Sequence, residues 1–295
     1  MNRRDFVYAS SLMLASPLSF SSPLKNDNKP LVLGVFPRRN AKTTYKIFTP
    51  LTNALSEHLN RRVELVSTKD FTSFWQGVQH RRFDIVHFNQ YHYIIAHQLY
   101  GYDVILKNME FGQATIAGSI AVRKDMNINA VEDLRDKTIV FGGGYRAMMS
   151  YIAVTWLLRQ GGLNHGDYKE SFARNPPNAL ITAYHKRADA AGAGDRAIRL
   201  DIVKKNIDVS EMKYLARTES LTHLPWATKN DMDITLKQKI TQFLEGLKDD
   251  PAGQKIMDAA KLSGLLKTSD NEYDGHRELI KKVYGEDYGI SRFEK

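Results

Sequence analysis

Phe83-Asp84-Ile85-Val86-His87-Phe88-Asn89-Gln90-Tyr91-His92-Tyr93-Ile94-Ile95-Ala96 is the stretch whose reading decides the fold. A short apolar run follows Asp84 and reads as a buried strand. It ends at Asn89, a residue type that starts helices by accepting a backbone N–H on its side-chain oxygen. A second apolar run of helical spacing follows, so the stretch predicts a strand that turns directly into a helix. In open α/β sheets, ligands sit where the carboxyl ends of strands meet helix N-termini, because unpaired N–H groups and the positive end of the helix dipole face that point. The amides Asn89 and Gln90 and the rings Tyr91 and Tyr93 fall at this switch and point to a small-molecule site.

The surrounding chain alternates in the same way. Residues 31–36 read as a strand ended by Pro37, and 45–60 as a helix with Ile47, Phe48, Leu51, Leu55 and Leu59 on one face. Residues 63–67 read as a strand, 71–80 as a helix, 84–88 as a strand, 90–99 as a helix and 104–107 as a short strand. This alternation implies a mostly parallel sheet covered by helices. The texture then changes. Residues 117–123 read as a strand crossing away, 131–134 as a helical turn, and 138–141 as a strand leading into Gly142-Gly143-Gly144 and a helix through Met148, Ile152, Trp156 and Leu157. Gly161-Gly162 stops that helix. Residues 179–185 read as helical and 188–193 as a strand, and 213–215 and Thr228 bracket the return through Leu224-Pro225-Trp226. Helices over 233–248 and 253–262 are expected to pack back on the first lobe, with 273–284 as a last amphipathic segment.

A chain that leaves one α/β lobe, builds a second and returns has the two-lobe plan of a type 2 periplasmic binding protein. Each lobe is expected to hold a mostly parallel sheet flanked by helices, with two crossing strands as a hinge and the ligand in the cleft. The expected boundaries are residues 30–117 with 225–295 for the first lobe and 118–224 for the second, preceded by an export signal over 1–25. Asn2-Arg3-Arg4-Asp5-Phe6-Val7 resembles a twin-arginine signal, and the apolar stretch that follows is broken by Ser10, Ser11, Ser16 and Pro17, too short to span a bilayer as a helix. Cleavage is expected between Ser16 and Lys25, and the mature chain in the periplasm. There is no cysteine, which excludes disulfides, thiolate metal sites, cysteine nucleophiles and a lipid-modified cysteine anchor. The formal charge is +9, but its basic pairs (Arg61-Arg62, Arg81-Arg82, Lys204-Lys205, Lys281-Lys282) are scattered and read as solvated surface rather than a nucleic-acid footprint.

The segment from Asp84 to Tyr93 resembles the D-[VI]-x-x-x-x-x-x-x-Y segment of the phosphonate/phosphite-type substrate-binding proteins of ABC importers. Further matches follow in order. Leu31-Val32-Leu33-Gly34-Val35-Phe36-Pro37 resembles the family's opening, Thr49-Pro50-Leu51-Thr52-Asn53-Ala54-Leu55 its first helix, and Ala121-Val122-Arg123-Lys124-Asp125 the end of its crossing strand. Val131-Glu132-Asp133-Leu134-Arg135-Asp136-Lys137, Leu224-Pro225-Trp226-Ala227-Thr228 and Asp249-Asp250-Pro251-Ala252-Gly253 continue the series. The resemblance implies capture of a small anionic or zwitterionic ligand by hinge closure, delivery to an ABC permease, no chemistry on the ligand and no cofactor. A membrane sensor kinase or cyclase is the alternative partner, and the membrane is met only through that partner. One run departs from the pattern. Where the family carries Ser-Thr-Ser to grip phosphorus oxygens, this chain has Ala147-Met148-Met149, so three hydroxyl donors are replaced.

Candidate ligand contacts follow. Tyr93 falls on a cleft position of the family, and Tyr91 is either a second ring contact or a packed ring. Asn89 and Gln90 are donors, with Asn89 equally a helix cap. Arg38, Arg39 and Thr43 lie on the first strand-to-helix loop, where one arginine is suited to clamp an oxyanion. Gly144, Tyr145 and Arg146 open the second-lobe helix. Asp195 is either a helix cap or, by resemblance, the contact for an amine on the ligand. His87, His92 and His97 do not read as a metal site, because His92 and His97 would stand about 140° apart around a helix. No P-loop, G-x-S-x-G or H-E-x-x-H motif is present, so no enzyme signature competes.

Overall fold

The computed structural model of the chain describes residues 29–293. The expected export signal lies outside the described residues. In chain order the elements are β1 (Leu31–Val35), α1 (Ala41–Leu59), β2 (Val63–Ser67), α2 (Phe71–Gln79), β3 (Ile85–His87), α3 (Gln90–Tyr100), β4 (Tyr102–Met109), β5 (Thr115–Ile116), β6 (Gly118–Arg123) and β7 (Thr138–Gly142). A π-helical turn (Met148–Ile152) leads into α4 (Ala153–Gln160), followed by β8 (Lys169–Ala173), α5 (Pro176–Tyr184), β9 (Ala190–Gly194), α6 (Asp201–Lys204), β10 (Met212–Arg217), β11 (Leu221–Thr222) and β12 (Pro225–Lys229). The chain ends in α7 (Ile234–Gly246), α8 (Pro251–Ala260), β13 (Gly264–Lys267), α9 (Asp274–Tyr284) and α10 (Ile290–Phe293).

Two sheets form. One has the order β13-β4-β12-β3-β1-β2 and the other β10-β6-β9-β7-β8. The chain passes between them through residues 110–117 and 218–224, where β5 and β11 pair antiparallel with Leu221 opposite Ile116. The first sheet is parallel through β2, β1 and β3, but β12 enters antiparallel between β3 and β4. The sheets are therefore mixed. The return segment arrives from the second sheet on the cleft side, at the carboxyl ends of the parallel strands, so it can only run down the sheet in the opposite sense.

Local chemistry accounts for the element starts. Asn40 caps α1 by accepting the Thr43 N–H at 2.9 Å, which begins the helix four residues before the apolar spacing does. Asp84, at the foot of β3, accepts the Val32 N–H at 2.9 Å and the Lys229 ammonium at 2.7 Å. It therefore ties β1, β3 and β12 together far from the strands' carboxyl ends. The helix expected through Met148 opens instead as a π turn, with the Ile152 N–H reaching the Ala147 carbonyl at 3.2 Å. That wide turn presses directly on the second sheet. A Cβ on Gly192 would stand 2.6 Å from the Ser150 carbonyl oxygen, so only glycine allows the approach. The tail does not belong to one sheet alone: α9 packs on α3 of the first lobe and on α4 of the second. Among the described residues no helix is long and apolar enough to cross a membrane.

Candidate functional site

Between the lobes is an empty volume of about 530 Å³, part of it open to solvent. Much of its wall comes from the carboxyl ends of strands. Phe36, Pro37 and Arg38 follow β1, and Asn89 and Gln90 follow β3. Across the cleft, Gly142 ends β7, Arg174, Asn175 and Pro176 follow β8, and Gly194 ends β9. Ile116 and Leu224 contribute from the crossings, and Phe71, Ala147, Met149 and Ser150 from helix starts. Gly142 is required where it stands, since a Cβ there would lie 2.4 Å from the Cα of Pro176.

Four helical segments begin at this wall: α2 at Phe71, α3 at Gln90, the π turn at Met148 and α5 at Pro176. Each turns the positive end of its dipole to the wall, although α5, which begins Pro176-Pro177, has no N–H to offer there. The charged lining residues are Arg38 and Arg174, one from each lobe, and no carboxylate lines the cavity among the described residues. Arg174 is exposed and reaches the cavity from the rim. Arg38 is held from behind. Its Nη1 donates to Glu110 Oε1 at 2.5 Å and its Nη2 to Oε2 at 3.2 Å, with Glu110 2% exposed.

Glu110 lies on the crossing after β4 and anchors a buried polar network. Asn108 donates to it at 3.2 Å, and the Trp226 indole N–H donates to Asn108 at 2.7 Å. Burial pushes the Glu110 carboxyl up, but Arg38, His223 and Arg39 together outweigh it and bring it to about 2. Burial also pushes His223 down to about 4, so its ring is neutral at physiological pH. His223 Nδ1 accepts the Leu224 N–H at 2.8 Å, which leaves the ring proton on Nε2, 3.8 Å from Glu110. The first-lobe cation is thereby fixed by residues on both crossings. Arg39, next to it, is lowered to about 10 by burial and by Arg38, and remains a cation.

Of the residues read from the sequence as ligand contacts, Arg38, Asn89 and Gln90 meet at the cavity wall. Asn89 also caps α3 by accepting the Tyr91 N–H at 3.0 Å. The others lie elsewhere. Arg39 and Thr43 are not among the lining residues, Thr43 being in the first turn of α1 with its N–H on the Asn40 cap, and Gly144 faces open space beside the second-lobe helix start. The Tyr91 hydroxyl donates to the Tyr288 carbonyl at 3.0 Å, and the Tyr93 hydroxyl to Asp270 at 2.6 Å, with both rings fully buried. Tyr145 accepts the Tyr284 hydroxyl on its carbonyl at 2.5 Å, and the Arg146 guanidinium stands 5.5 Å over the Phe293 ring. These rings are turned toward the tail rather than the cavity. Asp195, expected to cap a helix or meet an amine, instead accepts the Ala117 N–H at 3.0 Å and pins the first crossing. The three histidines do not meet: His87 stacks on Trp226, His92 lies among aromatic rings, and His97 bonds the Tyr102 carbonyl.

Sequence reasoning missed Phe36, Phe71, Ser150, Arg174, Asn175 and Pro176. The last pair carried a usable signal, since Asn175 is a cap that accepts the Asn178 N–H at 3.0 Å and Pro176 is the first residue of α5. It was hidden because β8 (Lys-Glu-Ser-Phe-Ala) has too little apolar character to read as a strand. At the substituted run, Ala147 and Met149 line the cavity while Met148 is fully buried away from it. The adjoining Ser150 hydroxyl is committed to the Gly142 carbonyl at 2.7 Å.

A cavity with two guanidiniums, four helix starts, no carboxylate among the described residues and several apolar side chains can hold a small anion bearing an apolar substituent. The comparisons with known proteins agree with that geometry. A family described as "ABC transporter, phosphonate, periplasmic substrate-binding protein" matches residues 33–273. A probable ABC transporter phosphite-binding protein, PhnD1, of Prochlorococcus marinus (strain MIT 9301) is 19% identical over 295 residues, covering 96% of this chain and 98% of that protein. The solved structure of PhnD1 with methylphosphonate has a TM-score of 0.76 at 15% identity, covering 88% of this chain and 100% of that one. A binding-protein component of an ABC phosphonate transporter from Pseudomonas aeruginosa also has a TM-score of 0.76, at 14% identity, covering 89% and 88%. The two mixed sheet lobes are thus the type 2 periplasmic binding fold, and the chain belongs to the family of periplasmic phosphonate substrate-binding proteins of ABC transporters.

Proposed function

We propose that this protein captures a small phosphonate-class oxyanion in the interlobe cavity, in the periplasm, and delivers it unchanged to an ABC permease. The observation that carries this reading is the charge of the lining. Arg38 and Arg174 approach from opposite lobes, helix starts surround them, and among the described residues no carboxylate lies in the wall. An anion gains charge-assisted bonds from both sides, and contacts made by both lobes favour the arrangement in which they face each other. Phe36, Phe71, Met149 and Leu224 supply an apolar wall for the ligand's substituent. An ammonium group on the ligand would find no carboxylate, so a plain anion fits better than a zwitterion. A twin-arginine-type leader over residues 1–25 would carry the chain across the inner membrane.

Titration calorimetry of the mature chain with methylphosphonate, phosphite, phosphate and an aminoalkylphosphonate tests the ligand class. Methylphosphonate or phosphite is expected to bind, and the aminoalkyl compound to bind more weakly. A chain that takes only amines or neutral solutes has a different function. Delivery is tested separately by uptake of the bound ligand in cells with and without this protein.

A further inference from the structure

Gln90 is the first residue of α3, and its fully buried side chain is part of the cavity wall. Its Nε2 donates to the Thr222 carbonyl on β11 at 3.4 Å, while its Oε1 has no partner. The amide is held this way round, because a backbone carbonyl only accepts and turning the amide over would set two acceptors against each other. The other polar side chains of the lining present donors or, for Ser150, an oxygen whose hydroxyl already has a hydrogen-bond partner. Arg38 and Arg174 have no acceptor atoms. The oxygens of Asn89 and Asn175 are taken by the N–H groups of Tyr91 and Asn178, each at 3.0 Å, leaving their NH2 groups. The Ser150 hydroxyl proton goes to the Gly142 carbonyl. Gln90 Oε1 is thus the one buried side-chain oxygen of the lining residues with no hydrogen-bond partner, in a wall whose other amides and guanidiniums present donors. A buried acceptor left unmatched is costly, and a ligand that brings a hydrogen removes that cost.

We infer that Gln90 is a specificity-determining residue that accepts the O–H of a singly ionised phosphonate-type ligand and so disfavours oxyanions that carry no proton, such as sulfonates. The inference rests on the oxyanion reading of the cavity given above. Methylphosphonate and methanesulfonate have almost the same shape. The first keeps one P–OH hydrogen until its second ionisation, whereas the second has none. Oriented as Thr222 holds it, Gln90 bonds the first and opposes the second. No bond of the ligand is made or broken.

The test is calorimetric titration of the wild-type mature chain with both ligands, below and above the second ionisation of methylphosphonate, and of a Gln90→Met chain under the same conditions. Methionine fills a similar volume without an amide acceptor. Wild type is expected to prefer methylphosphonate by roughly 10- to 100-fold below the second ionisation, with the preference shrinking above it. In Gln90→Met the ratio should fall toward one through loss of methylphosphonate affinity, with methanesulfonate held as well as before or better. Equal binding of both ligands by wild type, or an unchanged ratio in the variant, overturns the assignment while leaving the oxyanion reading intact. Binding of neither ligand by wild type overturns the oxyanion reading and this inference with it. A wild-type ratio near one overturns the assignment without any variant, and Gln90→Leu, which likewise lacks the acceptor, carries the comparison where Gln90→Met fails to fold.

Discussion

Asn89 and Gln90 face the cavity, whereas Tyr91 and Tyr93, one to three residues on, face the chain's own tail. The two regions are built differently. The cavity is lined by polar groups with hydrogen-bonding capacity to spare, including the Gln90 oxygen and the Arg174 guanidinium. The tail side is closed. Tyr91 bonds Tyr288, Tyr284 bonds Tyr145, Arg159 donates to the Lys282 carbonyl at 2.7 Å, and Arg292 stands 5.1 Å over Tyr145. Residues 282–293 therefore touch the first lobe at Tyr91 and the second at Tyr145 and Arg159. A helix start in a cleft divides its side chains by the 100° step of the helix, so only those at the strand junction reach the ligand space.

The largest expected effect lies between the two regions, at the buried pair beneath the cavity. Glu110→Gln leaves Arg38 without its carboxylate and should cost roughly 3–5 kcal/mol in urea unfolding at neutral pH. The Glu110 carboxyl is held at about 2 against an ordinary 4.5, so its contribution is complete above the ordinary value and is lost as pH falls toward 2. The variant should accordingly lack part of the wild-type loss of stability over that acid window. A variant as stable as wild type would mean that the network is not what fixes Arg38.

On the tail side, Tyr93→Phe removes a bond to a charged acceptor, Asp270, and should cost about 1.5–3 kcal/mol of stability while leaving ligand affinity unchanged. A fall in affinity at constant stability would return Tyr93 to the ligand site. Arg174→Ala should behave in the opposite way, with affinity for methylphosphonate down roughly tenfold, about 1.4 kcal/mol, and an unchanged melting temperature. Equal affinity in that variant would remove the second lobe's cation from the site. The smallest effect is expected from Tyr91→Phe, about 1 kcal/mol of stability from the lost Tyr288 bond, again with no change in ligand affinity.

The fold was legible because its signals are local. Alternating strands and helices, the Asn89 cap and the apolar faces of α1 and α3 need no knowledge of distant residues. The site was legible only at the strand-to-helix junctions that were recognised, after β1 and β3. The junction after β8 went unseen, because a strand at a sheet edge with charged and polar residues gives no hydrophobic pattern, and Arg174 and Asn175 were lost with it. Tyr145 and Arg146 had the right residue types at a helix start. What turned them away was the tail, about 140 residues later, and the amphipathic pattern of 273–284 does not say which surface it covers. The bond from Tyr93 to Asp270 is likewise a pairing across 177 positions, which no local pattern encodes.

The tail's double attachment has a consequence for thermodynamic bookkeeping. Contacts that exist only while the lobes face each other bias the resting population before any ligand arrives. The dissociation constant measured in solution is the intrinsic one divided by the fraction of molecules already in the binding-competent arrangement. Where that fraction is small, a change of about 1.4 kcal/mol in how firmly residues 282–293 hold shifts the apparent constant close to tenfold, with every cavity contact left as it was. If the lobes also populate an arrangement in which these contacts are broken, substitutions within residues 282–293 should tune apparent affinity without touching what the cavity recognises.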